Sequence, residues 1–238
     1  MKHTLFFILF IIFAPLVFCQ ENREVKNEVG LFISDLINGT YSFTYERAMG
    51  KHISVGLGFG IKADDGFIKF SGLDTDNIKT ADISYTGFKI TPEVRYYIHQ
   101  KGNAMFTGFY FGAYTRLVNY KTDLSGIYID SQDVSHYFLY KGDIDVNSVG
   151  FMIGYKLPVT NHLKIDFLIA GPGAGYFTFK LKDVIPPPDE FYDDLNSALE
   201  KYSFLDFLNA DFQFKKTNLK EKLTLPSFRY GLSVTYSF

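Results

Sequence analysis

The sequence predicts an all-β chain, an eight-stranded antiparallel up-and-down β-barrel that crosses a membrane with its strands. Three observations carry that expectation. Apolar residues alternate with small or charged ones over long stretches, the period of a strand with two unlike faces. The strands so read are even in number, and short and long connections alternate between them. The last segment, FRYGLSVTYSF, alternates strictly: Phe228, Tyr230, Leu232, Val234, Tyr236 and Phe238 share one side, and Arg229, Gly231, Ser233, Thr235 and Ser237 the other.

The length of 238 residues suits one large β-domain. Aromatics make up 18% of the chain, all Tyr and Phe with no Trp. A formal net charge of −2 argues against a nucleic-acid surface. The opening MKHTLFFILFIIFAPLVFCQ sets Lys2 before an apolar run from Leu5 to about Phe18. That is the pattern of a secretory signal peptide, residues 1–19, cleaved after Cys19 and leaving 20–238 as the barrel. Cleavage removes the single cysteine, so no disulfide can form. Two other readings of this segment stay open. Cys19 is lipid-modified, although Phe18 is bulky for that, or the segment stays as an anchor, although it is short against the about 20 apolar residues of a spanning helix.

The first strand is Asn27–Ser34, with Val29, Leu31 and Ile33 on one face. Asn38-Gly39 makes a tight turn, since both residues tolerate positive φ. The second strand, Thr40–Ala48, shows Tyr41, Phe43 and Tyr45 against Ser42, Thr44 and Glu46. After Met49–Lys51 comes His52–Lys62, where Ile53, Val55, Leu57, Phe59 and Ile61 oppose Ser54 and three glycines. A polar stretch of about twenty residues leads to Tyr85–Ile98, whose inner face is Lys89, Thr91, Glu93, Arg95 and Tyr97. The fifth strand runs from Met105 to Tyr120, with Phe109, Phe111 and Ala113 outward and Tyr110, Tyr114 and Arg116 inward. A long loop ends near Asp145. The sixth strand, Val146–Leu157, turns Ser148, Gly150, Met152, Gly154 and Lys156 inward. The seventh, Leu163–Lys180, turns Lys164, Asp166 and Ala170 inward and bends or bulges near Pro172. The eighth is Phe228–Phe238.

Short turns fall at Met49–Lys51, Gln100–Asn103 and Pro158–Asn161, and the long loops fall between them. One rim of short turns and one of long loops is the signature of outer-membrane barrels, with the short turns periplasmic and the long loops extracellular. The charged face cannot meet lipid, where each Lys or Arg near the midplane costs about 2–4 kcal/mol. Its Gly, Ser and Thr suit the interior of an eight-stranded barrel, which is only just wide enough for side chains. Tyr41, Tyr45, Tyr96, Tyr155, Tyr230, Tyr236 and Phe238 fit an aromatic girdle.

A terminal Phe closing an alternating aromatic strand resembles the C-terminal signal of outer-membrane barrels. With PEVRYYI followed by GFYFGAY, the chain is similar to small eight-stranded outer-membrane proteins of Bacteroidota. The resemblance implies bacterial outer-membrane location, fold, and recognition of Tyr230, Leu232, Val234, Tyr236 and Phe238 by the barrel assembly machinery. It carries over no activity.

The inward charges have both signs, namely Glu46, Glu93 and Asp166 against Lys89, Arg95, Arg116, Lys156, Lys164 and Arg229. They read as a structural salt-bridge network in the lumen, because unpaired charges there are costly. Catalysis would need a His beside Ser or Asp at the outer rim, and His136, next to Ser135 and near Asp130 and Asp133, is the candidate base. GPGAG (Gly171–Gly175) lies in a strand pattern without a following helix and is no phosphate loop. DTDN and Asp64-Asp65 read as solvated loop residues, and Asn38-Gly39-Thr40 as a turn rather than a glycosylation site. No cofactor or metal is expected. In the long loop 181–226, Phe191, Leu195 and Leu199 recur every four residues and predict a helix over Asp189–Tyr202. Aromatic residues in this loop suit either a cover for the barrel mouth or a surface for an extracellular partner.

The expected role is therefore structural or interaction-based, through long outer loops on a barrel held in outer-membrane lipid. Two other readings stand beside it. One is a lipid- or peptide-modifying enzyme using His136. The other is a soluble secreted barrel whose apolar face turns inward around a small ligand.

Overall fold

The computed structural model describes residues 25–63, 66, 71–98, 106–200 and 220–238. The expected signal peptide with Cys19, the pair Asp64-Asp65, His99 and the run FLDFLNADFQF lie outside the described residues.

The strands are β1 (Asn27–Phe32), β2 (Thr40–Ala48), β3 (Ile53–Lys62), β4 (Ile78–Thr80), β5 (Tyr85–Tyr97), β6 (Gly108–Ile129), β7 (Ser135–Pro158), β8 (Leu163–Ile185) and β9 (Lys220–Ser237). A helix, α1 (Glu190–Glu200), lies between β8 and β9 in the chain. Eight strands form a ring in the order β6-β5-β3-β2-β1-β9-β8-β7, and β6–β7 pairing joins its two ends. All pairs are antiparallel, and β1 meets β9 with Val29 opposite Tyr236 and Leu31 opposite Val234. Backbone bonds between Asn27 and Phe238, of 3.1 and 2.8 Å, continue that seam to the rim. Closure leaves no free edge in the ring. The ninth strand, β4, lies outside the ring order and adds to the far end of β6, with Ile78 opposite Tyr128.

Alternation sets the faces. Large apolar side chains such as Phe43, Leu57, Phe111, Phe151 and Tyr230 are exposed on the outside, Phe151 to 75%. Glu28, Glu46, Arg95, Lys156, Lys164 and Asp166 are buried inside. A soluble barrel with its apolar face turned inward is the reverse of this arrangement.

The glycines of the inner face make room for long side chains opposite them. A Cβ on Gly154 would sit 2.2 Å from the Tyr110 hydroxyl, and one on Gly60 would sit 2.7 Å from Cε of Lys89. The strand β8 carries a bulge where its register slips against both β7 and β9 between Leu168 and Gly171. Ala170, expected on the inner face, therefore sits at the bulge, and Leu168 and Gly171 take the buried positions.

Strand boundaries differ from expectation at β1, β6, β7, β8 and β9. The strand β1 stops at Phe32, and the connection to β2 is a 3₁₀ turn, Ser34–Asn38, ended by Gly39 at φ 73°. The loop expected after Tyr120 is mostly strand. β6 and β7 stay paired from Gly108–Lys156 out to Ile129–Ser135, leaving only a short tip. Likewise β8 runs on to Ile185, and β9 begins at Lys220 rather than Phe228, so both ends of the 181–226 loop are strand. These stretches mix polar and apolar residues on both faces. They are strands without the one-sided pattern that marks a strand in sequence.

Replacing Gly154 with Ala puts a methyl group where the Tyr110 hydroxyl lies, and overpacking of this kind costs about 1–3 kcal/mol. Chemical denaturation of the refolded variant should show its midpoint shifted down, whereas the exposed Gly50→Ala, with nothing near the new Cβ, should leave it unchanged.

Candidate functional site

The lumen holds a continuous ladder of charges, built up from the rim of short turns. At the bottom Lys164 bonds Glu28 at 3.1 Å and also meets Ser237, whose hydroxyl donates to the same carboxylate at 2.7 Å. Lys156 bridges Glu28 and Glu46, lying 2.8 Å from the latter. Glu46 also accepts from Ser54 at 2.5 Å and from the Tyr97 hydroxyl at 2.7 Å. One step higher, Arg95 touches three carboxylates: Asp166 at 2.6 Å, Glu93 at 2.6 Å and Glu46 at 3.3 Å. Tyr110 donates to the other oxygen of Asp166 at 2.8 Å, and its ring lies under the Arg95 guanidinium at 4.5 Å. Arg229 reaches Glu93 from above at 3.3 Å and stacks over Tyr114. Phe106 sits buried beneath the two lysines, whose ammonium groups lie 5.5 and 5.4 Å from its ring centre.

The structure thus brings together Glu46, Glu93, Arg95, Lys156, Lys164, Asp166 and Arg229. Lys89 is held apart, paired with Asp35 of the 3₁₀ turn. Arg116 stands alone among the nine, donating to Ser227 at 3.1 Å and meeting no carboxylate among the described residues. Sequence reading missed three participants. Glu28 alternates with Val29 and Leu31 and was legible as an inward residue. Asp35 was not, because it lies in a turn. Phe106 was hidden too, since it precedes its strand in a positive-φ conformation.

Above the ladder, the continuation of the inner face along β6 and β7 is aromatic. Tyr128, Phe138 and Tyr140 are buried there against Phe191 and Tyr192 of α1, with Ile78 of β4 completing the cluster. Tyr140 and Tyr192 share a hydrogen bond of 2.8 Å, and Asp194 of α1 accepts from Tyr128 at 2.9 Å and Asn77 at 3.0 Å. Burial, reinforced by Tyr192, pushes the Tyr140 hydroxyl well above its ordinary pKa. The helix begins at Glu190, one residue later than expected, and its apolar side faces this sheet extension.

His136 lies at the hairpin tip with its Nε2 2.7 Å from Asp130 Oδ2. The other oxygen of Asp130 accepts the backbone N–H groups of Gln132 and Val134, each at 2.9 Å. The aspartate therefore ties the turn as well as the ring. Among the described residues no serine hydroxyl bonds to His136. The hydrogen bond from His136, followed by that from Val134, holds the Asp130 carboxyl below the usual carboxylate range. His52 and His162 occupy the short turns, stacked on Tyr96 and Tyr236 with Nδ1 2.8 Å from the carbonyls of Tyr97 and Ser237.

Fold and lumen together define a closed eight-stranded β-barrel with an apolar exterior and an ion-paired interior. The chain belongs to the family described as "Protein of unknown function (DUF3575)", whose model matches residues 6–203. No curated protein matches it. Among solved structures, CarO of Acinetobacter baumannii is similar at 12% identity and a TM-score of 0.44, over 92% of this chain and 100% of that one. A major outer membrane protein from Thermus thermophilus is similar at 16% identity and a TM-score of 0.32, over 91% of this chain and 100% of that one. The architecture stands on this chain's own strand pairing.

Two outcomes follow for the ladder and the tip. Lys156→Met leaves Glu28 and Glu46 buried without their shared cation and should cost about 3–5 kcal/mol. Adding Glu46→Gln should restore part of that loss in a double-mutant cycle by denaturation. Asp130 has a depressed folded pKa, so its contribution is present above its unfolded value near about 4 and is lost as pH falls through the folded value. Pepsin cleavage within 130–134 should rise steeply below about pH 4, and Asp130→Asn should be cleaved readily without that dependence.

Proposed function

We propose that this chain is an integral outer-membrane barrel whose role is structural and interaction-based, with its outer assembly as the working surface. The observation that carries this reading is the opposition of the two faces. An exterior of exposed Phe, Leu, Ile, Val and Tyr is unfavourable in water over so wide a band. In lipid it is the expected solvent-facing surface, while the ionic residues stay inside.

The dimensions agree. On β6 the outward residues run from Phe109 to Leu117 before Asn119, and on β7 from Leu157 back to Val149 before Asn147. Strands of that length tilted as in barrels span about 25 Å, the height of a lipid-facing band. The aromatic rings near the short-turn rim, including Phe109 stacked edge-on against Tyr155 at 4.7 Å, sit where an interfacial girdle belongs.

Lipid is then the first partner. The assembly machinery is the second, reading the outward row Tyr230, Leu232, Val234, Tyr236 and Phe238 of β9. A third partner, outside the cell, would meet the β6–β7 extension with α1. That extension, with a small aromatic core of its own, forms a platform that suits display better than catalysis, and the His136–Asp130 bond at its hairpin tip supports a structural reading of the histidine. The ladder fills the barrel's lower half and does not suit passage of large solutes.

Heat-modifiable migration tests membrane integration: the detergent-extracted protein should run faster unboiled than boiled. Extraction by carbonate alone would sink the reading. In planar bilayers no large stable conductance is expected. His136→Ala should leave the lipid profile of the membrane unchanged, and a changed profile would restore the enzymatic reading.

A further inference from the structure

The outer half of the lumen contains a cavity of about 220 Å³, lined by Asp35, Asn38, Ser42, Lys89, Arg116 and Arg229 among others. Its charges do not balance. Lys89 has Asp35, and Arg229 shares Glu93 with Arg95, which lies within 2.6 Å of that carboxylate. Arg116 has no carboxylate within ion-pairing distance among the described residues. Its guanidinium carries five donors, of which one on Nη2 is given to Ser227 at 3.1 Å, while Nε is buried without a partner among the described residues. Two more buried polar atoms of the same lining, Asn38 Oδ1 and Ser42 Oγ, also lack hydrogen-bond partners among the described residues. Further down, every lumen cation named above is matched to a carboxylate.

A half-buried guanidinium with no ion-paired carboxylate in a protein-lined cavity, with Asp35 of the lining acting on it only from a distance, is costly. The cost falls if a mobile anion supplies the missing charge. Arg presents a planar fork that matches an oxyanion in two-point contact. Ser42 adds a hydroxyl that can donate, and Lys89 and Arg229 add positive potential from the neighbouring walls. The volume exceeds that of a single water, whose share of liquid is about 30 Å³, and is large enough for a tetrahedral ion with part of its hydration shell.

We infer that this cavity is a binding site for a small oxyanion of the phosphate class, with Arg116 as its principal contact. The site lies above the salt-bridge ladder and is separate from the platform. It adds a specific ligand to a lumen that the functional reading treats as filler.

The test uses the full refolded chain in a non-ionic detergent, with inorganic phosphate as the probe in titration calorimetry and ³¹P relaxation measurements. Saturable binding near one ion per chain is expected, with the unboiled form surviving to a higher temperature in phosphate than in chloride at equal ionic strength. Arg116→Gln should weaken binding at least about tenfold, a loss of one charged hydrogen-bonded contact, and abolish the phosphate-dependent shift. Arg116→Lys keeps the charge and should retain part of the affinity, which keeps the test open if Arg116→Gln does not fold. Absence of binding by the wild-type protein, or equal binding by wild type and Arg116→Gln, overturns the assignment, the cavity then holding only water. Titration with a short-chain phosphatidic acid separates the sources: binding of the lipid phosphate without binding of the inorganic ion also overturns it. A conductance experiment that refuted the filled lumen would leave this result standing, so the two readings fail separately.

Discussion

The narrowness of an eight-stranded lumen governs the rest of this protein. Every strand places half of its side chains inside a tube only just wide enough to hold them. Ionisable groups there have little water to fall back on, so in the lower lumen each cation is placed against an opposite charge. Arg95 is the centre of that solution. It joins β2, β5 and β8 by touching Glu46, Glu93 and Asp166 at once. Lys156 extends the same logic downward to Glu28 on β1. The ladder thus ties strands distant in sequence, including the β1–β9 seam through Glu28 and Ser237.

Glycine is the other half of the same constraint. Long side chains can cross the lumen only where the wall opposite is bare. Tyr110 lies over Gly154 and Lys89 over Gly60, so the glycine-rich pattern of the inner face is the complement of its charges and tyrosines. The bulge in β8 serves the packing in a similar way. Leu168, inward by the same alternation as Lys164 and Asp166, packs beside Tyr110 and Tyr114, and the bulge after it re-phases the strand so that the Gly171 carbonyl accepts the Tyr114 hydroxyl at 2.9 Å.

Beyond the band of outward apolar residues the physics changes. There β6, β7 and β8 continue as strands with charged residues such as Lys121, Lys141 and Asp143 on the outer side. Asp145, also outward, pairs with Lys180 across β7 and β8 at 2.7 Å. The inner side there is aromatic rather than ionic, because α1 covers it. Phe191 contacts Tyr128, Phe138 and Tyr140 with ring centres 4.8–6.3 Å apart, which gives the extension a small core of its own.

Within the barrel proper, alternation alone determined a great deal. Tyr41, Phe43 and Tyr45 against Ser42, Thr44 and Glu46 mark both the limits of β2 and its faces, because a period of two with one apolar side has no other stable reading. The inward set on β5, β6 and β9 was legible for the same reason. The extended hairpin was not, since residues such as those of SHYFLYKGDID lose the contrast between faces once both meet water or protein. Only the tertiary structure decided which charges meet. Glu93 and Arg229 are 136 positions apart, and nothing in their spacing tells Arg229 from Arg116. The register of ring closure brings one to a carboxylate and leaves the other facing the cavity, because pairing across a lumen depends on the height and angle of each strand, which local sequence does not encode.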